Sequence, residues 1–165
     1  MKFLKVEIIW RLLLLFEIFT ILSATLLGRS TFVGDHLNLR PFWTLRYAWI
    51  NHSWLHWYNI AGNMLLFLPL GFLLPAAFTL FKQMRRVLLA GLALSVLVEI
   101  IQFVTHLGLC ELDDMINNTY GTLLGYGIWL MFNRNLDSKN KAVAVGFVLG
   151  TVSIFSILIL WSLAG

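Results

Sequence analysis

"LSVLVEIIQFVTHLG" (residues 94–108) has the apolar density of a membrane helix, yet Glu99 and Gln102 sit inside it. A carboxylate near the middle of a bilayer costs on the order of 3 kcal/mol even on lenient insertion scales. Intramembrane acids line a cavity or pathway and find a partner there. The stretch therefore sets two expectations: a helix that crosses a membrane, and a protein-lined polar pocket that Glu99 anchors.

The remainder of the chain agrees with the first expectation. It is 59% hydrophobic and 12% charged, with mean hydropathy +0.82. That is more apolar sequence than a soluble core of this size needs. The formal charge of +4 is read through membrane topology. A nucleic-acid partner is excluded, because such a binder gathers Lys and Arg on a soluble face. The single cysteine, Cys110, makes neither an intramolecular disulfide nor a metal framework. The opening "MKFLKVEIIWRLLLLFEIFTILSATLLG" (1–28) has a basic tip and an apolar run. That run is longer than the roughly 7–15 residues of a signal-peptide core, so it reads as an uncleaved first helix. Arg11 and Glu17 are too far apart on it to form a close helical pair.

A span needs about 20 mostly apolar residues. Five stretches qualify as candidates, at 8–28, 57–80, 86–108, 115–133 and 142–164. The fourth begins with polar residues and is expected to start inside a protein-lined cavity. The expected fold is an all-α polytopic membrane bundle, one membrane domain over 1–165. Segment 29–56 is its sizeable loop, rich in Trp, Tyr and Phe, side chains that favour the membrane–water interface. Pro69 is expected to kink the second span, with Gly71 easing the bend. With the N-terminus inside, nine of the twelve Lys and Arg residues fall on the inner side, as the positive-inside rule requires. Five spans then leave the C-terminus outside and make 29–56 extracytoplasmic.

In that topology the polar residues converge on the outer half. Glu99 lies on the order of 13 Å below the outer end of its span. Glu99, Gln102 and His106 share one helical face, as do Asn59 and Asn63, and as do Asp114, Asn117, Asn118, Gly121 and Gly125. Gly121 and Gly125 form a small-xxx-small pair that permits close helix approach. Glu99 and Asp114 are candidates to share a proton and to serve as an acid/base pair. Asn63, Gln102, Asn118, Asn59 and Asp113 are candidates to bind substrate, and Asp113 also reads as the N-cap of the fourth span. His52 and His56 are spaced as extra ligands for a carboxylate-bound cation. No defined ligand set is visible, so neither a metal nor another cofactor is assigned.

These residues resemble the VanZ family over 38–130. The matching stretches are "NLRPF" (38–42), "NIAGNMLLFLPLGFLLP" (59–75) and "EIIQFVTHLGLCELDDMINNTYGTLLGY" (99–126). They carry Asn38, Pro41, Asn63, Phe67, Pro69, Gly71, Glu99, Gln102, Asp114, Asn118, Gly121 and Gly125 in the family's order and spacing. Many members have an Arg before the acidic turn, where this chain has "GLCELDD" (108–114). The resemblance implies a multi-pass protein of the bacterial cytoplasmic membrane that lessens the action of teicoplanin, a lipoglycopeptide antibiotic, at the cell surface. The implied partner is a membrane lipid, a lipid-linked cell-wall precursor or the antibiotic itself. Two alternatives stand beside it. One is a membrane-embedded enzyme using Glu99 and Asp114 on a lipid-linked envelope substrate. The other is a small transporter, whose polar path would have to continue to the inner side.

Overall fold

The computed structural model describes residues 2–27 and 37–133. It is an all-α bundle of five helices: α1 Lys2–Leu26, α2 Trp43–Ile50, α3 Trp54–Ala77, α4 Met84–Thr105 and α5 Leu112–Phe132. Two short strands, β1 Leu37–Asn38 and β2 Cys110–Glu111, pair in parallel, Leu37 with Cys110 and Asn38 with Glu111. A single 3-10 turn, Thr79–Lys82, joins α3 to α4. Among the described residues three helices are long and apolar enough to cross a membrane: Val6–Leu26, Trp54–Ala77 and Met84–Thr105. The stretch 142–164, read as a fifth span, lies outside the described residues.

The expected second and third spans shift at their ends for local reasons. Phe78 turns extended and stops α3 at Ala77. His106 adopts a left-handed conformation, φ 55°, and closes α4 at Thr105. Its amide and that of Leu107 both donate to the Gln102 carbonyl, satisfying an acceptor that the helix end would otherwise orphan. Glu99 is thus six residues from the end of α4, about 9 Å. Pro69 and Pro75 both lie within α3, which remains one helix of 24 residues.

α5 is the helix on which the bundle is built, packed closely on α3 and then on α4, while α1 lies against α3. Glycines set the α3–α5 distance. A Cβ at Gly121 would strike the Met64 carbonyl oxygen, and one at Gly125 the Leu68 carbonyl oxygen. In return, a Cβ at Gly71 would strike the Thr122 carbonyl oxygen. Gly71 therefore serves the α3–α5 contact. Without a hydrophobic drive between helices in lipid, such close backbone packing is a main source of association. Below this contact the core gathers Ile21, Phe67, Leu70, Val87, Val98 and Tyr126. At the bundle end formed by the α3–α4 turn, the Tyr126 hydroxyl donates to the Lys82 carbonyl at 2.7 Å.

Gly125→Ala should lower stability by about 1–3 kcal/mol through overpacking. Gly62 is its control, because a Cβ there meets nothing within 4 Å. Gly62→Ala should be neutral or gain about 0.5–1 kcal/mol from helix propensity. Unfolding of the two purified variants in one detergent checks the contrast.

Candidate functional site

The end of the bundle that carries β1, β2 and α2 holds the polar residues. Glu99 is 1% exposed. Its Oε2 accepts the Glu111 backbone N–H at 2.9 Å, and it also receives the Cys110 thiol as a side-chain hydrogen bond. Glu111 is the N-cap of α5, so a carboxyl on α4 fixes the place where α5 begins. A hydrogen bond to a charged group contributes about 1.5–3 kcal/mol.

Asp113 lies two residues further on. Its Oδ1 accepts the Phe42 N–H at 2.6 Å and its Oδ2 accepts the Thr44 N–H at 2.7 Å. Both donors belong to the start of α2, whose N-cap is Phe42. Asp113 is therefore not the N-cap of its own helix, as the sequence suggests; it caps α2 across about seventy residues of chain. Geometry explains why this helix needs it. Phe42 holds φ 59°, a left-handed conformation that is costly for a bulky residue. No side chain of α2's own segment caps it. The same two segments meet again where Asn38 Nδ2 donates to Glu111 Oε1 at 3.1 Å. Asn38 Oδ1 also receives the Arg40 N–H at 3.3 Å. Strand pairing, Asn38–Glu111 and Asp113–α2 together make a polar latch between 37–44 and 110–113.

Beneath the latch runs a buried polar seam between α1, α4 and α5. Gln102 Nε2 donates to the Thr25 carbonyl on α1 at 2.9 Å. Asn118 Nδ2 donates to Ser95 Oγ on α4 at 3.0 Å. Thr122 Oγ1 donates to the Asn118 carbonyl. Two seam acceptors, Gln102 Oε1 and Asn118 Oδ1, meet no donor.

The sequence candidates divide accordingly. Glu99, Gln102, Asn118 and Asp113 are buried at this end, and Asp114 is half-buried beside them. Asn63 is half-buried, whereas Asn59 is exposed and stays out of the buried group. His106 is exposed too, as the cap of α4. His52 holds a turn at φ 48°, and His56 Nδ1 shares a 2.8 Å hydrogen bond with Ser53 Oγ. Among the described residues no three His, Cys, Asp or Glu side chains gather as a metal group. Sequence reasoning missed Cys110, Asn38, Glu111, Ser95 and Thr25 as parts of the site. Only Asn38 carried a signal, its place in the "NLRPF" motif. At the other end of the bundle a groove of about 410 Å³, lined by Trp10, Phe72, Pro75, Ala76, Trp129, Phe132 and Asn133, carries no acid or base.

Cys110 reports the electrostatics of the latch. Burial pushes its thiol up to about 11, and the carboxyls of Glu99, Asp114 and Glu111 push the same way. All three acids thus bear on one buried sulfur.

A multi-helix membrane bundle with a polar latch at one end is the class these features define. The VanZ/LLP1 family profile matches residues 8–133, and the chain belongs to that family. It is similar to Protein VanZ of Enterococcus faecium, 28% identical over 143 residues, which covers 87% of this chain and 79% of that protein. No solved structure matches it.

Asp113 and Cys110 both provide checks on this geometry. Asp113→Ala should cost about 1.5–3 kcal/mol, and hydrogen exchange should quicken first at the Phe42 and Thr44 amides. Cys110 should react with iodoacetamide at pH 8 about a hundredfold more slowly than a free thiol, from its thiolate fraction alone. Because the folded thiol binds its proton more tightly than the unfolded one, its contribution is complete below pH 9. It declines as pH rises toward 11, which thermal unfolding across that range will register.

Proposed function

We propose that the latch end faces out of a bacterial cytoplasmic membrane and that the protein there lowers susceptibility to teicoplanin-type lipoglycopeptides. The observation that carries this reading is the concentration of buried acid and amide groups at one end of an otherwise apolar bundle. Glu99, Gln102, Asp113 and Asn118 lie there together. Kinship with Protein VanZ supports the antibiotic connection. On this reading a membrane lipid, a lipid-linked cell-wall precursor or the lipoglycopeptide engages the surface above the seam. Asn63, Gln102, Asn118, Asn59 and Asp113 are the residues proposed to recognise or position it. The aromatic rings of the latch suit an interfacial ligand: Trp43 and Tyr47 stack at 5.1 Å, and Tyr47 lies 4.5 Å from the His56 ring.

A second reading is an enzyme of the outer leaflet in which Glu99 and Asp114 form the acid/base pair. The influence of both carboxyls on Cys110 favours it, since it draws them to one place. Paired carboxyls in unlike environments divide into acid and base. This reading requires a covalently changed envelope lipid in cells that express the protein, which mass spectrometry of extracted lipids detects.

A sensitive Gram-positive host provides the test. Expression of the protein should raise the inhibitory concentration of teicoplanin and leave that of vancomycin unchanged. Glu99→Gln and Asp114→Asn, at equal membrane levels, should return teicoplanin susceptibility to that of the empty host. Full protection by both variants would overturn the role of the carboxyls, and no protection by the parent would overturn the antibiotic reading.

A further inference from the structure

Two amides of the seam are only partly satisfied. Gln102 gives one amide hydrogen to the Thr25 carbonyl, and Asn118 gives one of its own to Ser95 Oγ. The carbonyl oxygens of both amides are buried and meet no donor. The residues that carry them are 1% and 2% exposed, so bulk solvent does not reach them. Leaving a buried acceptor unsatisfied costs about 1–3 kcal/mol.

Their placement is specific. Ser95, Glu99 and Gln102 follow one another at i, i+4 and i+7 along one face of α4. Along that face Glu99 falls between Gln102 and Ser95, the residue to which Asn118 is bonded. Asp114 precedes Asn118 by one turn on α5. Among the described side chains no Lys or Arg enters the seam: Arg11, Arg40, Arg46, Lys82, Arg85 and Arg86 are all exposed.

The chemistry that serves amide carbonyls and carboxylates together is a hard cation with oxygen ligands. A water molecule satisfies an amide oxygen but adds no charge to balance a carboxylate in a dry interior. The histidine pair is engaged elsewhere: His56 Nδ1 is bonded to Ser53 Oγ, and His52 is exposed.

We propose that the seam binds a small hard cation through the Glu99 carboxylate and the side-chain carbonyls of Gln102 and Asn118, with Asp114 adding negative charge nearby. The bound ion draws α4 and α5 together directly below the latch. The site shares Glu99, Gln102, Asp114 and Asn118 with the proposed antibiotic function, but ion binding needs no ligand at the outer surface and is read separately from susceptibility.

The test uses the purified full-length protein in lipid nanodiscs. Thermal unfolding is followed during separate titrations with sodium, potassium, magnesium and calcium chloride, at ionic strength held constant with choline chloride. One of these cations should raise the midpoint saturably above the choline control. Gln102→Leu and Asn118→Leu should each weaken its apparent affinity by about tenfold or more, and Asn118→Asp, which restores an oxygen ligand, should recover it. Size-exclusion profiles matching the parent establish that the variants fold, and Gln102→Asn replaces any that does not. The absence of a saturable shift with all four salts would overturn the proposal. So would a shift of equal affinity in the parent and both leucine variants; water alone would then satisfy the two oxygens.

Discussion

A carboxyl group buried in an apolar helix persists only where donors reach it, and the bond from the Glu111 amide to Glu99 governs how the neighbouring segments assemble. That bond sets the first residue of α5. With α5 begun at Leu112, Asp113 falls within its first turn and meets the amides of Phe42 and Thr44. Those bonds seat α2, whose Leu45 and Ala48 then cover Ile60 on α3. One intramembrane acid is thereby connected through backbone groups to a segment far from it in the chain. The insertion penalty of Glu99 is offset in the same step, because a carboxylate that accepts N–H and S–H donors recovers much of what it loses on leaving water.

The glycines of α3 and α5 provide the second half of the arrangement. Gly71, Gly121 and Gly125 let carbonyl oxygens of one helix approach the other's backbone. The same register turns Asn117 and Asn118 inward, and Asn118 toward Ser95 of α4. A larger residue at any of the three positions would push α5 away from α3 and displace the seam with it. Packing and polar chemistry are therefore set by the same helix phase, and neither is free to vary alone.

Much of this was legible from spacing. Glu99 and Gln102 share a buried face because helical phase requires it, and Asn118 lies across from them. Gly121 and Gly125 declare close packing by their interval. The membrane-helix reading of the three apolar stretches also needed only length and composition. The hidden part depends on contacts between distant segments. Asp113 looks like a local cap because its real partners precede it by about seventy residues. Cys110 looks inert because nothing in its neighbours reveals that Glu99 turns back to meet it. Asn59 and Asn63 share a helical stripe, yet the edge of the packed face passes between them and leaves Asn59 exposed. Glu17 is a further case: it is buried on α1 with an oxygen that meets no donor, while Arg11 turns to Glu7 at 3.8 Å.

In the proposed orientation this polar latch, and the buried acids that organise it, stand on the outer face of the membrane. The most direct measurement places single cysteines at the two ends of the bundle in a Cys110→Ser background and treats intact cells with a membrane-impermeant maleimide. Arg40 and Gln83 are both exposed, the first in the latch and the second at the opposite end. With the latch outside, Arg40→Cys is labelled in intact cells and Gln83→Cys only after permeabilisation. The reverse pattern would contradict that orientation.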